Sequence, residues 1–394
     1  MSTAVQDVEF GWFIPTTGDG KYIGTELERE STAGYMIQVA QAAEEAGYTF
    51  ALIPTGGGCL DAWIVGSAIA THTKVLRPLV AMRPGLISPI TAARMATSLD
   101  YISNGRVAIN VVTGGTPPDL VAMGDPLAFS HDERYERTLE FMTIVKEVLI
   151  NSNTHKSKYL AANENYREIK KVHFKGKYYE IEGGASYPPP VQKPHPPIYF
   201  GGSSVAGKRT AAEIADVYLM WPEPLGWIEE QIDEMERIRK ELRQEKGIDR
   251  KLRYGLRAQV LVRETEEAAW AAAWEIISKA DKKAVEQSNV RFTQTDAVGQ
   301  KRQNQLRSES EENGYVIAPN LWAGLSIVRG GGAMMLVGTP EQVADRIIEY
   351  VDAGISSFIF SGYPNLEEAE ITGKLLLPVV KRKLQQQKNT AVQL

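Results

Sequence analysis

The run Gly201-Gly202-Ser203-Ser204 stands directly before a stretch of helical periodicity. Glycines let a ligand approach the backbone, and a serine opening a helix offers hydroxyl and N–H donors to an anion at the positive end of the helix dipole. The same residues also serve as a plain N-cap, and spacing alone weighs the two readings equally. His131 and Tyr135 stand four apart in His131-Asp132-Glu133-Arg134-Tyr135, on one face of a helix start. A capped, salt-bridged helix end is the simpler reading of that phrase. Thr113-Gly114-Gly115 either cradles a ring edge or merely turns the chain. Arg257 and Gln259, two residues apart in a strand, share one face. Arg329 adjoins Gly330-Gly331-Gly332, where a mobile loop could carry a cation over a pocket. Cys59, the single cysteine, is placed at a helix start, where the dipole activates a thiol; a small packed hydrophobe is the commoner role.

Other chemistries have no support in the sequence. The 5 histidines, at positions 72, 131, 155, 173 and 195, show neither i,i+4 pairing nor an HExxH arrangement, so no metal site is expected. A nucleophile elbow and a Walker loop are missing, and Gly330–Gly332 lacks the lysine of a phosphate loop. What remains is an anion cradle with tyrosine, tryptophan and arginine nearby and no hydrolytic machinery, a combination that suits a cofactor enzyme. A net charge of -5 supplies no basic field for nucleic acid. A lone cysteine rules out an intramolecular disulfide framework and fits a reducing cytosol. No apolar run approaches the roughly 20 residues of a membrane span, and Met1–Phe10 has no secretory pattern, so a cytoplasmic protein is expected.

These residues need a scaffold, and the 394-residue chain supplies a regular one. Strands are expected at Val8–Ile14, Phe50–Ile53, Leu76–Ala81, Arg106–Val112, Ile198–Phe200, Val217–Met220, Leu252–Val262 and Ser357–Phe360. Helical periodicity separates them, over Gly34–Ala46, Cys59–Thr71, Pro89–Tyr101, Glu133–Leu149, Ser204–Ile214, Leu225–Gln244, Glu264–Ala280 and Pro340–Ala353. Such alternation predicts a single-domain (β/α)8 TIM barrel over 1–394, since no G-x-G-x-x-G follows the first strand as in an open dinucleotide-binding sheet. Insertions are expected at about 151–197 and 281–335, the first an outer decoration or a lid, the second carrying Arg329. In a barrel the working residues sit on the loops after the strands. That places Cys59, Thr113, Ser203, Trp221 and Tyr363 at one mouth.

Taken together, the phrases FIPTTGDGKYIGTE (13–26), LIPTGGGCLDAW (52–63), SNGR (103–106), NVVTGG (110–115), HDERYER (131–137), YFGGSS (199–204), APNLWAG (318–324), VRGGG (328–332) and SGYPNLEEA (361–369) resemble the bacterial luciferase-like flavin monooxygenases. The resemblance is greatest to reduced-FMN-dependent alkanesulfonate monooxygenases. It implies that Gly202, Ser203 and Ser204, with Tyr135 and His131, hold the FMN phosphate and ribityl chain, and that Thr113 lies along the flavin ring. It further implies that Arg257, Arg329, Tyr363 and Cys59 surround the reacting centre, with Trp221 beside the substrate. FMNH2 and O2 would form a peroxyflavin that cleaves the C–S bond of an organosulfonate, giving sulfite and an aldehyde. The partners implied are an NAD(P)H-dependent FMN reductase and further copies of the chain, as a dimer or tetramer. The sequence departs from the pattern where histidines are expected, at Thr17, Gln259 and Asn365. Each replacement keeps hydrogen bonding and removes a group that titrates near neutrality. A sulfone or another small organosulfur substrate is therefore a second expectation, an F420-dependent oxidoreductase a third, and a flavin-binding protein without turnover a fourth.

Overall fold

The computed structural model describes residues 7–154 and 162–393; His155 and residues 1–6 lie outside the described part. In chain order the first half runs β1 (Glu9–Phe13), α1 (Ala33–Glu45), β2 (Phe50–Ile53), α2 (Ala62–His72), β3 (Arg77–Met82), α3 (Pro89–Ile102) and β4 (Ala108–Val111). Next come α4 (Pro117–Ala122), α5 (His131–Asn151), α6 (Ala162–Glu168) and a hairpin of β5 (Val172–Lys175) and β6 (Glu180–Gly184). The second half begins with β7 (Ile198–Gly201), α7 (Val205–Ile214), β8 (Val217–Met220), α8 (Leu225–Lys246) and β9 (Arg253–Val262). An excursion then holds α9 (Glu266–Ile277), α10 (Lys282–Thr293), α11 (Val298–Glu309), β10 (Val316–Ala318), β11 (Leu321–Trp322) and β12 (Met335–Gly338). The chain ends with α12 (Pro340–Asp352), β13 (Ile355–Ser361), α13 (Asn365–Leu375) and α14 (Leu377–Gln393).

Eight strands close on themselves in the order β1-β2-β3-β4-β7-β8-β9-β13, every neighbouring pair parallel. The fold is a (β/α)8 barrel, and each of its strands falls on a run expected from the sequence. Phe50, Leu79, Tyr199 and Val217 fill the interior. A Cβ on Gly11 would stand 2.4 Å from the Phe50 ring, so only glycine lets that ring occupy the barrel axis. Strand alternation puts Arg253, Gly255, Arg257 and Gln259 on one face of β9. Arg253 meets Glu9 at the closed end, at 3.1 Å. Arg257 lies over the Phe13 ring, 4.8 Å from its centroid, toward the open end.

The exterior helices show why the sequence folds this way. Thr339 and Gln342 form a capping box with Pro340 at the first helical position of α12. Val343 and Ile347 are buried, and Gly354 follows the helix at a φ of +107°. Arg106 of the SNGR phrase donates to the carbonyls of Ser103, Leu76 and Ala70 at 2.7, 2.6 and 2.8 Å. That motif staples a helix end to the next strand and takes no part in the mouth.

The helix expected over 264–280 forms as α9, but it stands apart from the barrel wall: its Ala269, Ala273 and Ile276 pack with Trp322, Leu325 and Met335 in a separate small core. That core sits on the upper half of β9, to which β12 adds in parallel from Met335 to Gly338. The excursion therefore spans 263–339, and α12 is the helix that returns to the barrel wall. A Glu/Ala-rich amphipathic segment looks the same in either place, because the distinction is tertiary. The first insertion is an outer decoration: its hairpin hangs on α5, with Lys177 and Tyr178 N–H groups donating to Glu140 at 2.7 and 2.8 Å.

Candidate active site

A cleft of about 610 Å³ opens at the carboxyl ends of β4, β7, β8 and β9 and is roofed by the excursion. Thr113, Tyr135, Gly202, Ser203, Trp221, Arg257 and Arg329 all line it. Residues separated by more than two hundred positions thus meet at one end of the barrel.

One side is neutral and rich in donors. Ser204 is the N-cap of α7, its Oγ accepting from Gly207 N–H at 3.1 Å, so its hydroxyl serves the helix. Ser203 faces the cleft instead. The Tyr218 hydroxyl donates to the Gly202 carbonyl at 2.9 Å. Tyr135 is only 7% exposed, yet its hydroxyl faces the cleft, 3.0 Å from where a Cβ on Gly202 would stand. A second helix, α11, brings its N-terminus to the same place: its N-cap, Ala297, has no side chain to cap with, and a Cβ on Gly299 would lie 3.2 Å from Ser203 Oγ. The N-terminus of α7, capped by Ser204, and that of α11, which has no side-chain cap, therefore flank Ser203. His131 stays outside the lining; its ring packs edge-on against Tyr135 at 5.1 Å, and its Nδ1 bonds Asp132 at 2.6 Å. The other charged groups of that phrase are structural. Arg137 holds Asp125 through two bonds of 2.7 Å, and the fully buried Arg134 reaches Asp296 of the excursion at 2.5 Å.

The other side is cationic. Arg257 is buried and, among the described residues, donates to neutral oxygens, Ala258 C=O at 2.7 Å and Ser361 Oγ at 2.8 Å. Burial and the nearby Arg329 push its pKa down to about 9, against the pull of Tyr363. A guanidinium keeps its proton under ordinary conditions, so the site bears that cost as a demand for an anion. Arg329 lies 5.8 Å over the Tyr363 ring, and among the described residues its guanidinium donates to the Gly331 carbonyl, at 3.4 Å. Burial raises the Tyr363 hydroxyl pKa, although both arginines draw it down. Gln259 is buried beneath the glycine loop, its Nε2 donating to Gly332 C=O at 3.2 Å and its Oε1 accepting from Ser361 at 2.5 Å.

The remaining candidates lie around this core. Cys59 does not begin a helix: α2 starts at Ala62, and Asp61 caps it by accepting from Trp63 and Ile64 N–H groups at 3.0 Å. Cys59 sits in the preceding turn, half-buried, and the dipole argument for it fails because the cap intervenes. Thr17 is exposed on the loop after β1, its methyl 3.9 Å from where a Cβ on Gly58 would stand. Asn365 is buried behind Tyr363, its backbone N–H and side-chain amide donating to Asp19 at 2.7 and 3.1 Å. Neither Thr17 nor Asn365 lines the cleft.

The sequence placed the Arg329 loop over the pocket but missed the residues that hold the roof. Gln300 accepts from Gly331 N–H at 2.8 Å, and Arg302 grips Glu223 through bonds of 2.7 and 2.6 Å. Thr295 donates to Gly115 C=O at 2.6 Å. The available signal was the three-residue spacing of Gln300, Gln303 and Leu306, the buried stripe of an otherwise polar helix.

Residues 8–357 match the pattern of the luciferase-like monooxygenases. The chain belongs to that family. Solved structures with the same fold include the EDTA monooxygenase EmoA from Chelativorans sp. BNC1, at 18% identity, 96% and 94% coverage of the two chains and a TM-score of 0.75. DmoA from Hyphomicrobium sulfonivorans matches at 17% identity, 96% and 89% coverage and a TM-score of 0.72. The coenzyme F420-dependent tetrahydromethanopterin reductase from Methanopyrus kandleri matches at 19% identity, 95% and 99% coverage and a TM-score of 0.64. Identities this low establish the shared barrel alone. Among the described residues no helix is long and apolar enough to cross a membrane.

Proposed function

We propose that this luciferase-like monooxygenase uses reduced FMN, supplied by a separate NAD(P)H-dependent reductase, and O2 to cleave the C–S bond of a small organosulfonate. The observation that carries the reading is the pair of guanidiniums, Arg257 and Arg329, that face one cleft with neutral oxygens as their partners among the described residues. Two such cations call for an anionic substrate group, and a sulfonate offers three oxygens to them.

The opposite side fits a phosphorylated flavin. Ser203, the Tyr135 hydroxyl and the N-termini of α7 and α11 would hold the phosphate, and the bare backbone at Gly202 leaves room for it. Thr113 and Gly114 would border the ring. Bound reduced flavin supplies the electrons that activate O2. For an alkanesulfonate the balance is RCH2SO3− with FMNH2 and O2 giving RCHO, sulfite, FMN, water and a proton. Arg257 would orient the sulfonate and stabilise charge that develops on its oxygens. The roof, with Trp221 lying between Gly299 and Gly332, would exclude water from the reacting atoms.

The test is a substrate panel of alkanesulfonates and dialkyl sulfones, assayed with a flavin reductase and NAD(P)H. Sulfite release from a sulfonate is expected; sulfinate from a sulfone would move the substrate class, and activity only with F420 would overturn the cofactor. Peroxide without sulfite or sulfinate for every compound contradicts the reading.

A further inference from the structure

Gln259 stands where β9 takes β13 on one edge and β12 on the other, paired with Ser361 and with Met335. Its side chain closes a hydrogen-bond relay whose direction is fixed at every atom. Arg257 Nη2 can only donate, and it donates to Ser361 Oγ at 2.8 Å. The serine's single proton is then free for Gln259 Oε1, at 2.5 Å. That leaves Gln259 Nε2 to donate to the Gly332 carbonyl at 3.2 Å. A flipped amide would set its oxygen against the Gly332 carbonyl oxygen, so both ends enforce the same orientation.

The far end of the relay is the loop that closes the cleft. Gly331 and Gly332 hold φ values of +65° and +57°, and a Cβ on Gly332 would come within 3.3 Å of Arg257 Cγ. A side chain at 332 would thus crowd the Arg257 stem, and the loop is pinned by the amide that Ser361 also engages. We propose that Gln259 is a positioning residue whose amide couples the Arg257 guanidinium, through Ser361, to closure of the Gly330–Gly332 loop, and does so without a titrating proton.

The titratable and charged groups facing this relay are Arg257 on β9, Arg329 on the loop, and Tyr363 after β13, with Asp19 beyond Tyr363. Arg263 and Glu368 pair at 2.6 Å further along, beside Gly362. A neutral imidazole at 259 could accept from Ser361 and donate to Gly332, but an imidazolium donates at both nitrogens. Ser361 would then receive two donors, and its own proton would lose its acceptor. A histidine here makes loop closure depend on pH; glutamine removes that dependence.

The inference rests on the sulfonate reading only for its consequence in turnover, so its test uses neither flavin nor substrate. Hydrogen exchange of the peptide spanning 328–334 is measured in the apo protein and corrected for intrinsic exchange. Wild-type protection should stay constant between about pH 5.5 and 8, a window that brackets imidazole titration. Gln259→His should match it at the alkaline end and exchange about ten-fold faster below the imidazole pKa, the effect of one buried hydrogen bond. Gln259→Glu is nearly isosteric and can pair with Arg257, so it should fold; its oxygen facing Gly332 should give about ten-fold faster exchange at every pH. Ser361→Ala, whose side chain bonds Arg257 and Gln259 rather than the loop, should still raise loop exchange about three-fold by freeing the amide. Wild-type exchange in Gln259→Glu, or in Ser361→Ala, overturns the coupling even if sulfite is released. A pH-independent Gln259→His overturns the assigned polarity of the relay.

Discussion

Arg257 sets the energetics of the site. A buried cation whose acceptors among the described residues are neutral costs stability, and replacing it with a hydrophobic side chain of similar length removes that cost. Arg257→Met should therefore stabilise the apo protein by about 1–3 kcal/mol in urea unfolding. The same variant should lose on the order of a hundred-fold or more in sulfonate turnover while binding FMN within about two-fold of wild type. Destabilisation instead would mean that the guanidinium serves chiefly as a strut between Ala258 and Ser361. At this scale the sequence was informative about residue types and less so about their company. Arg257 and Gln259 could be placed on one face from strand alternation, but the Ser361 link depends on the β9–β13 register. Asn365 shows the limit more sharply: the resemblance set it on the substrate side, whereas Asp19 and the Trp12 indole hold it behind Tyr363.

Among the elements, α11 decides how well the cleft is closed. Its N-terminus meets Ser203 and Trp221, its Gln300 holds the glycine loop, and Arg302 ties it to Glu223 on the barrel rim. Arg302 also stacks over Trp227, 4.6 Å from its ring centroid, so the tie is a packed contact as well as an ion pair. Arg302→Ala should loosen this corner and cost about 1 kcal/mol or somewhat more, since Glu223 is buried and would lose its charged partner. The measurable result is faster proteolysis within the excursion and a higher ratio of peroxide to sulfite per FMNH2 oxidised. An unchanged ratio would show that the roof is not what keeps water out. Little of α11 was legible beforehand, because its inward face is built from amides. A polar stripe gives no apolar periodicity, and only its register against the barrel reveals that it is buried.

At the scale of the whole molecule, the barrel has a closed end and a working end. Glu9 lies at the closed end with Arg253, Arg77 and Tyr199 around it, bonding the Tyr199 hydroxyl at 2.7 Å. Burial raises its pKa, but Arg253, Tyr199 and Arg77 together leave it below the ordinary value. A carboxylate with a depressed folded-state pKa contributes stability that is present above its unfolded pKa of about 4.3 and is lost as pH falls through the folded value. Glu9→Gln should thus lower stability at neutral pH and flatten its fall below about pH 4.3, read by denaturant melts across pH. A parallel offset at all pH values would assign Glu9 a packing role only. The eight strands and the outer helices were legible because each carries its own periodicity and caps, as α12 does. The extent of the excursion was not, since α9 is amphipathic whether it joins the barrel wall or covers β12. The resemblance supplied the link from this architecture to flavin and sulfonate, and the two arginines supply its physical support. Its most direct test needs no partner protein. Photoreduced FMN, the protein and a short alkanesulfonate are mixed without oxygen, then exposed to O2 in a single turnover. Sulfite and aldehyde are expected in amounts equimolar with the protein-bound flavin; fully oxidised FMN with equimolar peroxide and no sulfite contradicts sulfonate cleavage.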